Sequence, residues 1–182
     1  MNPTVERYSL PARALHWLVA LLIVSALVLA LVIPEGAPGA TGPSPEEVAA
    51  VNLHRTVGFL VLVFLVLRVI WRFVRRPPDL PARFGAREKF VTHAGHAVLY
   101  LLMAAVPLLG WAFSGARGLD PITLAGISIP DLIAHQPRPV AHQLHEIHEL
   151  AAWTLIGVAA AHAAMAVLHH VKGKDGFLRR MS

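Results

Sequence analysis

Cysteine is absent from this chain of 182 residues. That removes disulfides, thiolate nucleophiles, iron–sulfur clusters and Cys-ligated zinc from its chemistry. Charge is scarce too. Asp, Glu, Lys and Arg make up 15% of the chain, against roughly 25% in an ordinary soluble domain. Apolar residues fill the deficit at 55%, and the mean hydropathy is +0.57. This balance excludes disorder and an ordinary soluble enzyme. The 16 Lys and Arg outnumber the 11 Asp and Glu, which in a soluble protein suggests a nucleic-acid partner. Here most of the basic residues flank apolar runs, so they point to membrane orientation instead. What the sequence has in unexpected abundance is histidine, with 11 copies.

Four apolar runs cover most of the chain: Leu15 to Ile33, Thr56 to Trp71 with Val51 to His54 upstream, Ala94 to Phe113, and Leu150 to Leu168. A helix needs about 20 residues to cross the hydrocarbon core. None of the runs alternates as a barrel strand does. The expectation is an all-α, integral membrane four-helix bundle. It forms a single domain over 1–182, with spans near 14–33, 51–73, 91–113 and 145–169. The first run is longer than the ~7–15 residues of a signal-peptide core and no strong cleavage site follows, so it reads as a retained span. Pro34 to Pro45 breaks it. Ser44-Pro45-Glu46-Glu47 then reads as a helix start, with a Ser cap, Pro in the first turn and acids at the positive end of the dipole. Pro107 predicts a kink in the third helix. Ser114 to Pro139 is the longest connection, and a short surface helix is expected within it.

Basic residues set the orientation. Arg7 and Arg13 precede the first span. Arg72, Arg75, Arg76, Arg83, Arg87 and Lys89 border the second loop, and Lys172, Lys174, Arg179 and Arg180 follow the fourth span. Those twelve fall on one side, against Arg55, Arg117 and Arg138 on the other. Both termini are therefore expected in the cytoplasm, and the pattern agrees with an even number of spans.

Each histidine then acquires a depth. His16, His93, His96, His162, His169 and His170 belong to the cytoplasmic half. His54, His142, His145 and His148 belong to the periplasmic half, and His135 to a loop. Ionisable residues inside a membrane are costly and are usually functional. A haem with two axial imidazoles needs two neutral histidines on facing helices at one depth. On the fourth helix, His148 and His162 are 14 residues apart, so they point within about 40° of each other and lie ~21 Å apart along the axis. His54 matches His148 in depth, and His16 matches His162. This suggests two stacked haems in the bundle core. Zinc could use the same ligands, but it prefers four close ones, and here the matching comes in twos. His135, His142, His169 and His170 also read simply as interfacial residues, and Trp17, Trp71, Trp111 and Trp153 as an aromatic belt.

The ordered set of residues resembles the bacterial cytochrome b561 family. The matching pieces are Arg13-Ala14-Leu15-His16-Trp17-Leu18, Val51-Asn52-Leu53-His54 with Gly58, Arg68-Val69-Ile70-Trp71-Arg72, and Ala94-Gly95-His96 with Tyr100 and Pro107 to Gly110. His148-Glu149, Gly157, His162, His169-His170 and Lys174-Asp175 complete them. The resemblance implies a small, inner-membrane, di-haem b protein linked to ubiquinone. It implies that His16 and His162 hold one haem iron and that His54 and His148 hold the other. His145 competes with His148, and rotation alone favours His148. Some members resemble superoxide oxidases, in which periplasmic superoxide supplies the electron and ubiquinone accepts it. Arg55, Arg117 and Arg138 could form a cationic mouth for superoxide, although Glu146, Glu149, Asp120 and Asp131 lie on the same side. His93, His96, His169 and Lys174 are candidates to bind quinone or relay protons, with interfacial solvation as the alternative. Two other functions stay open. One is a haem-bearing membrane anchor subunit, as in the b-type subunits of hydrogenases and formate dehydrogenases, with a partner dehydrogenase or a homodimer contact. The other is a non-redox, His-rich metal transporter. The short loops favour the stand-alone oxidoreductase.

Overall fold

The computed structural model describes residues 7–34, 42–80, 84–173 and 177–181. Four long helices are present: α1 (Leu10–Leu31), α2 (Pro45–Val74), α3 (Ala86–Arg117) and α4 (Arg138–Gly173). All four are long and apolar enough to cross a membrane. The all-α membrane bundle expected from the sequence is thus what the chain forms. Large apolar side chains remain outside on every helix, among them Leu21, Val66, Leu101 and Leu150. In water such a surface would drive aggregation, whereas in a bilayer it is the lipid face.

The helix ends follow local chemistry. Ser44 caps α2 as expected: its hydroxyl accepts a hydrogen bond from the Glu47 N–H at 3.1 Å, and Pro45 opens the first turn. α3 begins where the Gly85 N–H donates to the Glu88 carboxylate at 2.9 Å. It stays helical through Pro107 and stops at Gly118, whose φ of 70° is left-handed. A residue without a Cβ adopts that conformation freely, and it turns the next N–H groups back onto the last open carbonyls. The bonds are Gly118 N–H to Gly115 O at 2.9 Å and Leu119 N–H to Ser114 O at 3.1 Å.

The α3–α4 connection departs from expectation. It holds no surface helix but an antiparallel hairpin, β1 (Ile122–Leu124) and β2 (Ile127–Ile129), with Ile122 opposite Ile129. The two strands hold four β-branched residues, Ile122, Thr123, Ile127 and Ile129, and Ala125-Gly126 turns the chain with φ of 49° and 82°. Two successive positive φ values suit a two-residue hairpin turn. Helical spacing is lost because the run is too short and too β-branched to nucleate a helix. Arg55 of α2 fastens this connection. Its guanidinium donates to Ser114 Oγ at 3.0 Å, to Asn52 Oδ1 at 2.8 Å and to the Asp120 carbonyl at 2.6 Å. Gly115 is required here, since a Cβ would overlap the Ile133 carbonyl.

The two chain ends meet at the opposite end of the bundle. The Tyr8 N–H donates to the Arg180 carbonyl at 3.1 Å, and the Trp17 indole donates to the Met181 carbonyl at 2.8 Å. The buried Arg180 side chain donates to the carbonyl of Asp79, in the α2–α3 loop, at 2.6 Å.

α1 packs on α2, α2 on α3, and α3 on α4. Among the described residues, α4 makes no comparably close backbone approach to α1 or α2. The bundle is thus open along the side where α4 faces the first two helices. Only its middle is closed, by a buried cluster of Val19, Val61, Leu65, Met103 and Leu155. Leu155 lies seven residues from both His148 and His162. The apolar cluster therefore divides the open side into two pockets.

Candidate functional site

The outer pocket is lined by all four helices, and its two facing histidines come from α2 and α4. His54 and His148 face each other with ring centroids 6.3 Å apart. Each ring is fixed by a backbone carbonyl of a neighbouring helix. His54 Nδ1 lies 2.9 Å from the Ala26 carbonyl of α1, and His148 Nδ1 lies 3.0 Å from the Val106 carbonyl of α3. A carbonyl can only accept, so Nδ1 carries the proton in both rings. The other nitrogen, Nε2, is then left with its lone pair free, which is the state that binds a metal. His148 can reach Val106 because Gly110, one turn along α3, has no side chain: a Cβ there would lie 3.0 Å from the imidazole. Around the pair is a cavity of about 520 Å³, walled by Ile23, Val61, Trp111, Leu155 and other apolar groups, with Arg55 and His145 also in its lining.

The inner pocket is built from three helices. His16 of α1 and His162 of α4 have ring centroids 6.5 Å apart. His96 of α3 joins them, 5.3 Å from His162. His96 Nδ1 donates to the Thr92 carbonyl at 2.7 Å, within its own helix. His16 Nδ1 is buried and has no hydrogen-bond partner among the described residues. A buried polar atom without a partner is costly, and a ligand is one explanation for it.

These spacings fit a b-type haem. A metal–imidazole bond is about 2 Å, and the half-width of each ring adds about 1 Å more, so two rings on opposite sides of one metal have centroids about 6 Å apart. The His54–His148 and His16–His162 pairs meet this requirement, while the His96–His162 separation is shorter. Among the described residues, no three His, Asp or Glu side chains converge to hold a metal ion between them. The donors come in facing pairs beside an apolar slot, which suits a flat macrocycle rather than a tetrahedral ion.

The remaining candidates are scattered. His145 is exposed and packs on Phe113 at 4.9 Å, outside the facing pair. His142 pairs with Glu146 at 3.5 Å on the surface. His93 is exposed, His169 stacks near Phe84 at 5.4 Å, and Lys174 lies outside the described residues. Three contributors were not singled out for these roles from sequence. Gly110 makes room for His148. Arg55 acts as a fastener for the loop. Arg68 sits 5.4 Å over the face of Tyr100. The 14-residue step from His54 to Arg68 equals that from His148 to His162, and that spacing was the available signal.

The sequence matches the family described as prokaryotic cytochrome b561 over residues 7–182. It is 33% identical over 181 residues to cytochrome b561 homolog 2 of Escherichia coli (strain K12), covering 98% of this chain and 92% of that protein. It is 30% identical over 177 residues to the probable superoxide oxidase CybB of Yersinia pestis, covering 97% of this chain and 96% of that one. Cytochrome b561 homolog 1 of Escherichia coli is 26% identical over 182 residues, with 97% of each chain covered.

Proposed function

The chain belongs to the prokaryotic cytochrome b561 family, and on that footing we propose that it carries two haems b and passes electrons from a periplasmic donor to ubiquinone. Family membership and the four apolar helices make it a multi-pass bacterial membrane protein of haem b electron transfer. In this reading the chain sits in the inner membrane as a single domain over 1–182. The observation that carries it is the pair of facing imidazole couples, one in each pocket, with an apolar cluster between.

His54 and His148 would hold one haem, and His16 and His162 the other. Bound there, the haems supply one-electron carriage that no amino-acid side chain of this protein offers. The protein holds the imidazoles in one tautomer through the Ala26 and Val106 carbonyls. Its apolar cluster keeps water, and with it ions and protons, from crossing between the pockets. With the twelve basic residues cytoplasmic, the His54–His148 pocket faces the periplasm and the His16–His162 pocket the cytoplasm.

Superoxide is the donor favoured here. A relative over nearly its full length bears the name probable superoxide oxidase. Superoxide is an anion, and Arg55 lines the outer cavity, where a fixed cation raises its encounter rate. Two superoxide anions would each lose one electron to become dioxygen, and one quinone would take two electrons and two protons. His96, beside His162 and bound to Thr92 O, is the group placed to hold a proton for the quinone. His93, His169 and Lys174 are further candidates toward the same end.

Stopped-flow mixing with superoxide tests this. The cytochrome should be reduced faster than superoxide disproportionates, and ubiquinone should reoxidise it. His96→Ala should leave the reduction intact and slow the reoxidation by about 100-fold, the lower range for loss of a positioned proton donor. Reduction no faster than disproportionation allows would remove superoxide as the donor. Normal reoxidation in His96→Ala would place the quinone elsewhere.

A further inference from the structure

Arg68 is a cation inside an apolar span, between Leu67 and Val69 and six residues before the end of α2. It is half-buried. Among the described residues it makes no hydrogen bond and no ion pair, and its one neighbour of note is the ring of Tyr100 on α3, 5.4 Å from the guanidinium carbon. Arg72, one turn on and exposed, approaches the same ring at 5.9 Å. A charge in the hydrocarbon region is retained only for a strong reason, and it usually faces the interior and a partner. Here the cation faces α3, yet among the described residues no carboxylate meets it.

Its position is not arbitrary. α2 and α4 run in the same direction, and Arg68 stands 14 residues after His54 as His162 stands 14 residues after His148. The inner layer therefore takes one residue from each helix: His16, Arg68, His96 and His162. Arg68 is close enough to interact electrostatically with all three of those histidines. In the outer layer, the equivalent position on α2 is a ring that faces its partner across the pocket.

We propose that Arg68, seated over Tyr100, is the carboxylate-binding residue of the inner pocket, taking a propionate of the haem held between His16 and His162. This rests on the haem reading above. Haem b carries two propionates, and a planar guanidinium is the side chain best shaped for a carboxylate. Tyr100 holds the guanidinium by its face, which leaves the N–H edges free to donate. Arg72, nearer the helix end, is placed for the second propionate. The direction toward α3 and the histidines argues against a lipid headgroup as the partner of Arg68.

The test is potentiometry of the purified holoprotein, with haem transfer to apomyoglobin as a second readout. In Arg68→Gln, one haem should shift to a lower midpoint potential, because loss of a nearby cation disfavours the more electron-rich reduced form, and it should leave for apomyoglobin faster, because its propionate is no longer held. The other haem should keep its wild-type potential and loss rate, which also reports that the variant is folded. Arg68→Lys should fall between wild type and Arg68→Gln, since it keeps the charge and loses the fork. It is read alone if Arg68→Gln does not accumulate, and a Lys variant identical to wild type then overturns the proposal. Potentials and loss rates unchanged in Arg68→Gln overturn it as well, and leave Arg68 to a lipid phosphate. A wild-type protein without haem would overturn the haem reading itself, and this proposal with it.

Discussion

Alanine at His54 or at His148 should halve the haem bound per chain, and alanine at His16 or His162 should halve it by removing the other haem. Each haem would depend on both imidazoles of its pair. In an apolar pocket water cannot take the place of the lost imidazole at low cost. The double variant His54→Ala with His148→Ala should lose no more than either single one, because both act on the same group. Combining His54→Ala with His16→Ala should remove both haems. The pyridine haemochrome assay counts them. His145→Ala is the decisive control. It should retain full haem content, because His145 is exposed and packs on Phe113 rather than facing His54. Loss of haem in His145→Ala, with full content in His148→Ala, would exchange the two assignments.

Gly110→Leu should produce nearly the same outcome without touching a ligand. A Cβ alone at this position meets the His148 ring at 3.0 Å, tighter than ordinary contact. The rest of a Leu side chain would occupy the space of the imidazole itself. The ring would then turn away, losing its bond to the Val106 carbonyl and the orientation that bond imposes. The expected result is loss of the outer haem with the inner one retained. Gly110→Ala should keep both haems, since the ring needs to move by only a few tenths of an ångström. Its outer haem should show a shifted absorption band or potential. An outer haem untouched by Gly110→Leu would mean that His148 does not sit beside Gly110 in the loaded protein.

Much of this architecture is legible in the order of residues. Run length alone gives the four helices, because a bilayer of fixed thickness demands it. Ser44-Pro45-Glu46-Glu47 announces the start of α2, because open N–H groups need acceptors. The His148-to-His162 interval indicates two depths on one helix face. Contacts made across the bundle were not legible. The hairpin at 122–129 is short, and its alternation is too brief to stand against the noise of a polar loop. Ala125 at a position with φ of 49° gives none of the Asn-Gly signal by which such turns are recognised. That Gly110 makes room for His148 depends on how α3 and α4 pack, which no local spacing reveals. The third histidine of the inner pocket, His96, falls by sequence in the same half of the bundle as His16 and His162. Its approach to His162 follows from the close packing of α3 on α4. Arg68 reads in sequence as a charge near an interface. Only its seat over Tyr100 turns it toward the bundle.

One polypeptide is proposed to offer two separate imidazole pairs, His54 with His148 and His16 with His162. The most direct measurement is the ratio of haem b to polypeptide in the purified wild-type protein, taken with the low-temperature electron paramagnetic resonance of its oxidised form. Two haems per chain are expected, both low-spin as paired imidazoles make them. A ratio of one, or a high-spin signal from an iron with a single imidazole, would contradict it.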